Sequence, residues 1–390
     1  MNDSGAVNLF GIPRDLVIPA VSMFIWGLGE GLFIYFYPLA LQRWDSDPLQ
    51  IGAVLSMLGV SMALVQVPAG YLSDRFGSRP VIHAALILGI IAAIIMAAAQ
   101  TLTVFTVGLV AYSLTSFVSA PFNSYVTNMR GSWSVQRALT FVSGSFMVGA
   151  IVGPMLGGWI AQTAGMAVVF RYSAVLFLVS TLIILFARRP ILRQEAQETV
   201  VPMVSPFANP RFLGLLAIIF VTIFAISTPQ QLTSLYLQNV QLLSVQQIGM
   251  TGTFAGLGTA VIMFALGSLP APVGMITGQL MIGLFALLMW RGQSVAVFYT
   301  GYLFIGGYRL YHSMAVAAAR PLVRASDVGL AYSLIETGNA LAVILAPLAA
   351  GYLYNNRPET VYIVSLVVLA ITIVLHTLLL PKRRAAIAPA

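Results

Sequence analysis

Long apolar runs separated by short polar turns dominate the hydrophobic pattern of this chain. About a dozen runs of roughly 20 residues recur along it, and each is long enough to cross a bilayer as a helix. The runs lack the apolar–polar alternation of strands and are rich in Gly and Ala, which favours helices over a membrane barrel. The predicted spans are 16–41, 50–73, 80–100, 102–129, 137–163, 167–187, 211–238, 247–269, 273–290, 294–319, 328–353 and 360–380.

Composition and charge agree with an integral membrane protein. Only 8% of the residues are charged and 59% are hydrophobic, whereas a soluble domain carries about 25% charged residues. The net charge of +8 does not indicate a nucleic-acid partner, because the basic residues are distributed as the positive-inside rule describes. With the N-terminus inside, 14 of the 19 lie on the cytoplasmic side, one lies within a span, and four lie outside: Arg43, Arg171, Arg291 and Arg357.

This asymmetry predicts that both termini are cytoplasmic. The compact loops favour a prokaryotic inner membrane. We expect the lipid bilayer and a small-molecule substrate as partners, no nucleic acid, and a monomer.

An internal repeat organises the spans into two halves. The tripeptide QIG at 50–52 recurs at 247–249, a displacement of 197 positions, and a Gly/Pro pattern at 149–158 is echoed by an Ala/Pro pattern at 342–351, a displacement of 193. Two pairs at nearly one period predict two six-helix bundles, 1–187 and 211–390. The charged, Pro-containing segment 188–210 is the expected cytoplasmic linker. The predicted fold is an all-α membrane protein with twelve transmembrane helices in two pseudo-symmetric bundles.

A glycine-punctuated charged turn, GYLSDRFGSRP at 70–80, lies between the second and third spans. We expect Gly77 to supply a permissive backbone for the turn. The stretch resembles the loop motif G-x-L-x-D-R-x-G-R-R of the major facilitator superfamily, with Ser78 in place of one basic residue. The matching residues are Gly70, Leu72, Asp74, Arg75, Gly77 and Arg79.

This resemblance implies two bundles around a central cavity that opens alternately to either side of the membrane. In that family the loop motif clamps the cytoplasmic gate, so the matching residues are expected to act at the gate and not as substrate ligands. The corresponding segment of the second half, GSLPAPVG at 267–274, carries no charge. The clamp is therefore expected to be one-sided.

The fifth span carries a second resemblance, to the G-x-x-x-G-P-x-x-G-G signature of the superfamily's drug:proton antiporters. The matching residues are Gly149, Gly153, Pro154, Gly157 and Gly158. Small residues four apart also permit close helix contact, so packing without any antiport role remains an alternative. Antiporters of that type usually carry an arginine in helix four, and 104–128 contains none.

Polar residues inside the spans are costly there and are candidates for function. Glu30, Glu336 and His312 are the predicted proton-coupling residues, because carboxyl and imidazole groups can bind and release a proton. Arg309 keeps its charge and therefore needs a carboxylate partner, such as Glu336, or an anionic substrate. Buried structural hydrogen bonds are the alternative role for each candidate. The predicted substrate-cavity residues are Glu30, Tyr37, Asn123, Gln231, Arg309, His312 and Asn339.

These features predict a secondary active transporter that moves a small organic solute by alternating access, with proton-coupled antiport favoured. Proton symport or uniport for uptake of a small polar or anionic solute is the alternative, and a receptor without transport is another. The chain has no Cys, three His and no phosphate-binding glycine loop. We therefore expect neither an enzyme, nor a metal site, nor a cofactor, and a proton gradient as the energy source.

Overall fold

The structure is a computed structural model that describes residues 11–186, 209–323 and 328–379. All regular elements in these ranges are α-helices or short 3-10 turns, which confirms the all-α prediction. The predicted linker 188–210 lies outside the described residues except for its last two positions. At Asp74 the backbone is described but the side chain is not, and Gly70 is described only as part of the helix.

We number the membrane-length helical segments α1 to α12. Those before the linker are α1 (Arg14–Gln42), α2 (Pro48–Phe76), α3 (Ser78–Ala98), α4 (Leu102–Asn128), α5 (Val135–Ala164) and α6 (Met166–Leu185). Those after it are α7 (Pro210–Asn239), α8 (Val245–Leu266), α9 (Ala271–Arg291), α10 (295–319), α11 (Val328–Asn356) and α12 (Thr360–Leu379).

These bounds follow the predicted spans to within a few residues. Among the described residues, eleven helices are long and apolar enough to cross a membrane, and α10 is not among the eleven. The mean hydropathy of α10 is lower because its second half carries the polar residues Arg309 and His312. It nevertheless consists of two α-helices, Val295–Leu303 and Gly307–Ala319, joined by a 3-10 turn.

Four of these segments are interrupted part-way along their length. In α1 the first helix ends at Gly31, and a 3-10 turn (Ile34–Phe36) precedes the short helix Tyr37–Gln42. In α4 and α10 the interruptions are the 3-10 turns Thr115–Val118 and Phe304–Gly306. In α7 the first helix ends at Gln231, two residues after Pro229. At such breaks some backbone N–H and C=O groups lose their regular helical hydrogen bonds. Within a membrane this is tolerated where neighbouring protein groups or water form hydrogen bonds with those backbone groups instead.

The chain divides into two compact units. The first contains Met1–Glu198 and Leu232–Leu257, and the second contains Thr199–Gln231 and Gly258–Ala390. The predicted domain boundaries, 1–187 and 211–390, remain a prediction.

Each unit has its own apolar packing. In the first unit, α1 packs closely against α5 and α6. In the second, buried side chains of α7, α9, α10, α11 and α12 form one core, centred on residues such as Ile223, Ile282 and Tyr311.

The charged turn between α2 and α3 has the backbone that the sequence predicts. Gly77 adopts φ 82°, in the region that side chains disfavour, and α3 begins at the next residue. The exposed Arg75 lies beside Tyr71 and Phe76 of its own helix, with Nη1 3.4 Å from the Tyr71 hydroxyl. Arg79 donates from Nη2 to the carbonyl of Leu185 at 3.3 Å, at the C-terminal end of α6. A positive charge at the C-terminal end of a helix interacts favourably with the helix dipole.

Candidate functional site

Glu30 lies in the first unit, one residue before the first helical segment of α1 ends. Its side chain is partly exposed and lies within hydrogen-bonding reach of the Tyr112 side chain of α4. Tyr37, in the short helix after the break, is close enough to interact electrostatically with the same carboxyl group. The structure therefore brings two predicted residues, Glu30 and Tyr37, together around a tyrosine hydroxyl.

Aromatic rings from three helices pack against one another beside this position. Trp26 stacks on Phe177 with ring centroids 4.1 Å apart, and Phe177 stacks on Tyr112 at 5.7 Å. Phe33 meets Tyr112 edge to face at 5.0 Å. We call these residues, with Phe170 5.5 Å from Phe33, the aromatic cluster. Low-polarity walls of this kind penalise a bare charge, so the carboxyl group of Glu30 is suited to binding a proton.

The glycine motif of α5 holds this region together through backbone contact. A Cβ atom on Gly153 would lie 2.6 Å from the Cα of Gly31, the residue next to Glu30, and one on Gly149 would lie 2.6 Å from the amide nitrogen of Leu28. No side chain fits at such distances, so α1 and α5 touch along their backbones. The motif thus has a definite packing role beside the carboxyl group, and its antiport role stays a prediction.

A second cluster lies in the second unit, between α10 and α11. His312 Nε2 lies 3.3 Å from Glu336 Oε2. One turn away, the Tyr308 hydroxyl donates to Asn339 Oδ1 at 2.9 Å. Tyr308 and His312 are four apart on one helix, and their partners are three apart on the next, so the two pairs form parallel rungs. The predicted residues His312, Glu336 and Asn339 therefore lie close together, and Tyr308 lies with them.

Arg309 stands beside this cluster but is not part of its contact between histidine and carboxyl group. Its side chain is exposed, and within the described residues no carboxylate forms an ion pair with it. The predicted alternative of an Arg309–Glu336 bridge is therefore absent from the described structure, since Glu336 pairs with His312.

The exposed face of α10 is suited to water. Its exposed residues in this half of the helix are Arg309, Ser313 and Ala317. By contrast, α9 exposes Leu280, Leu284 and Leu287, and α12 exposes Val367, Ile371 and Val374. A charged residue facing hydrocarbon costs several kcal/mol. We infer that α10 turns this face towards an aqueous space and that α9 and α12 face lipid.

In the first unit, α4 also has an exposed face without large apolar side chains. After its 3-10 turn, its exposed residues are Ser119, Ala120, Asn123 and Ser124. Asn123 is thus accessible, as a cavity residue must be.

On α7, Gln231 is partly exposed next to the break, whereas its helical neighbours Ser227 and Ser234 are 5% and 7% exposed. Of these three side chains, only that of Gln231, the predicted cavity residue, is accessible.

Metal chemistry finds no support in the described residues. No group of three or more His, Cys, Asp or Glu among them could hold a metal ion. The two carboxyl groups of interest lie in different units, Glu30 with tyrosines and Glu336 with a histidine. Each cluster thus offers a carboxyl group as a proton-binding group, and Arg309 offers a positive charge that can bind an anion.

Comparison with known proteins agrees with these features. The model of the Major Facilitator Superfamily matches residues 20–275 and 242–389. The Riboflavin transporter RfnT of Brucella anthropi is 26% identical over 213 residues, 51% of this chain and 52% of the relative. Multidrug resistance protein 1 of Bacillus subtilis is 23% identical over 256 residues, 64% of this chain and 66% of the relative. The chain thus spans between about half and two thirds of these relatives' length.

A solved structure shows the fold. The crystal structure of a mutant of the nucleoside transporter NupG superimposes with a TM-score of 0.82, covering 94% of this chain and 100% of that one, at 12% identity. Helix order and packing are therefore shared where the sequences have diverged.

Proposed function

This chain belongs to the Major Facilitator Superfamily of membrane transporters, and we propose that it expels a small organic solute in exchange for protons. In this proposal Glu30 binds the coupling proton, and solute and proton occupy the transporter in alternation. The protein works in a prokaryotic inner membrane with both termini in the cytoplasm, a placement supported by the basic residues of its loops.

The position of Glu30 carries the proposal. A carboxyl group in the membrane, partly exposed and beside a cluster of aromatic rings, is costly to keep charged and is often functional. The Tyr112 hydroxyl can donate to the carboxylate or reorient when the carboxyl is protonated. Proton binding would therefore change the hydrogen bonding between α1 and α4, two helices of the same unit.

Two observations support export over import. The α5 motif matches the signature of drug:proton antiporters at five positions, Gly149, Gly153, Pro154, Gly157 and Gly158. One relative is named Multidrug resistance protein 1. The aromatic cluster supports a solute with a flat apolar portion, since such rings stack well on aromatic side chains.

Uptake of a polar or anionic solute is the second candidate. It is favoured by Arg309, a permanent positive charge that is exposed and has no carboxylate partner among the described residues. One relative is named a riboflavin transporter. In this case Arg309 would bind the anionic group and Glu30 would carry a proton in the same direction as the solute.

Transport assays in proteoliposomes loaded with a solute distinguish proton coupling from solute binding. We would use ethidium, riboflavin and fluorescein as cationic, neutral and anionic probes, and compare the native protein with Glu30→Gln. The variant keeps the shape and hydrogen-bonding capacity of the side chain but cannot titrate. We expect it to retain solute–solute exchange and to lose accumulation driven by a pH gradient.

Glu359→Gln is the matched control, because Glu359 lies in the turn between α11 and α12, outside the helices. It should behave like the native protein. The sign of the response distinguishes the two candidates, since an imposed gradient drives solute against the proton flow in antiport and with it in symport. Undiminished pH-driven accumulation in Glu30→Gln would remove Glu30 from the coupling role.

A further inference from the structure

A groove on the surface of the first unit joins one positive charge to an apolar channel. It lies between α3 and α6, has a volume of about 380 Å³, and is lined by Ile90, Ile94, Ala97, Ala98, Arg171, Ala174, Val175 and Leu178. Ala97, Ala98 and Ala174 are small, and the flanking residues are large. The groove therefore exists because three alanines leave space between two rows of bulky side chains.

The charge lies at one end of the groove, and that end is near the surface of the membrane. The two helices run in opposite directions, with α3 ending at Ala98 and α6 beginning at Met166. Arg171 is five residues into α6, roughly 7.5 Å from its start at a rise of 1.5 Å per residue. A long side chain at that depth can place its charged group at the interface while its stem stays in hydrocarbon.

From Arg171 the groove runs towards the middle of the bilayer. The lining residues extend from Arg171 and Ala98 at one end to Leu178 and Ile90 at the other, about 10 Å along the helix axes. Ile94, Val175 and Leu178 are each about half exposed, at 53%, 55% and 46%. Exposed aliphatic side chains of this size on adjacent helices are typical of a lipid-facing surface.

Arg171 has no acidic partner among the residues that the structure describes. It is exposed, and no carboxylate in the described part of the chain forms an ion pair with it. None of the described residues that line the groove is acidic, so none would attract the amine of a zwitterionic headgroup. Charge complementarity thus favours a headgroup that carries net negative charge.

We propose that this groove binds one anionic phospholipid, with the phosphate at Arg171 and an acyl chain between α3 and α6. The order of chemistry along the groove matches that of the lipid, with the charge at the interface and the hydrocarbon towards the midplane. The bound lipid fills the space left by the three alanines and ties α3 to α6, the helix that supplies Phe170 and Phe177 to the aromatic cluster.

Native mass spectrometry of the full chain, purified and stripped of lipid, tests the proposal. The probes are phosphatidylglycerol and phosphatidylcholine with identical acyl chains. We expect the native protein to retain one phosphatidylglycerol more tightly than phosphatidylcholine, and Arg171→Gln to lower that preference by about fivefold, the contribution of one basic residue at a membrane surface. Arg171→Lys should keep part of the preference, because it keeps the charge.

Two further variants separate the groove from general charge effects. Arg291→Gln removes another exposed arginine at a helix end, one that lies over the ring of Trp290 and not in the groove, and it should leave lipid binding unchanged. Ala97→Leu fills the groove and should weaken binding of both lipids. An unchanged preference in Arg171→Gln, an equal loss in Arg291→Gln, or undiminished binding by Ala97→Leu would each overturn the proposal.

Discussion

His312 Nε2 lies 3.3 Å from Glu336 Oε2, so the carboxylate of α11 is paired with a histidine of α10 and not with the neighbouring Arg309. The two side chains of this pair are 23% and 55% exposed. The exposed Arg309 therefore stands next to a contact between an imidazole and a carboxyl group, on the face of α10 that we assign to water.

The His312–Glu336 pair should contribute little to stability. Ion pairs at this level of exposure are worth about 0–1 kcal/mol, because solvent screens them. A double-mutant cycle with His312→Gln and Glu336→Gln, followed by thermal unfolding in detergent, should give a coupling energy below about 1 kcal/mol. A coupling above about 2 kcal/mol would show that the pair is structural.

Replacement of Arg309 should change which solutes are recognised. We expect Arg309→Gln to reduce transport of fluorescein, an anionic probe, about tenfold or more, because a charge-assisted contact is lost, and to leave ethidium transport unaffected. Thermal stability should be unchanged, since the side chain is exposed. Arg320→Gln is the control, because Arg320 is exposed at the end of the same helical segment. Equal effects on both probes would contradict a role in anion binding.

A methyl group at Gly153 should separate α1 from α5. The added Cβ would lie 2.6 Å from the Cα of Gly31, and a backbone atom cannot move aside as a flexible side chain can. We expect Gly153→Ala to destabilise the protein by about 1–3 kcal/mol, measured as a lower melting temperature. Gly144→Ala on the same helix is the control, because its Cβ would meet nothing within 4 Å. It should be neutral or slightly stabilising.

The Tyr112 hydroxyl should set the pH range of transport. Tyr112→Phe keeps the ring that stacks on Phe177 at 5.7 Å and removes the donor within reach of Glu30. Loss of a donor disfavours the charged carboxylate. The pH profile of solute transport should therefore move to higher pH with the maximum rate largely retained. An unmoved profile would show that the hydroxyl does not act on the coupling group.

The sequence predicts the helices well because each must satisfy its own backbone in lipid, and length and hydropathy follow directly from that requirement. Gly77 was also predictable, since its positive φ follows from a tight turn between two helices. The α10 segment is the informative exception. Because of its polar residues Arg309 and His312, α10 is not among the eleven described helices apolar enough to cross a membrane. The same two residues belong to the candidate functional site.

The aromatic cluster could not be predicted in full. Phe170 and Phe177 lie on a helix rich in apolar residues, and sequence alone does not distinguish a phenylalanine that faces Trp26 from one that faces lipid. The same holds for the pairing of Glu336, because Arg309 and His312 are three apart on one helix and either could reach it. Those choices depend on helix rotation and packing, which hydropathy does not determine.

Intraliposomal pH, followed with a trapped dye after addition of solute, tests the central claim most directly. For the native protein we predict a proton flux that depends on the solute, and for Glu30→Gln solute exchange without that flux. Native-like proton flux in Glu30→Gln, measured alongside intact solute exchange, would contradict the assignment of Glu30 as the coupling residue.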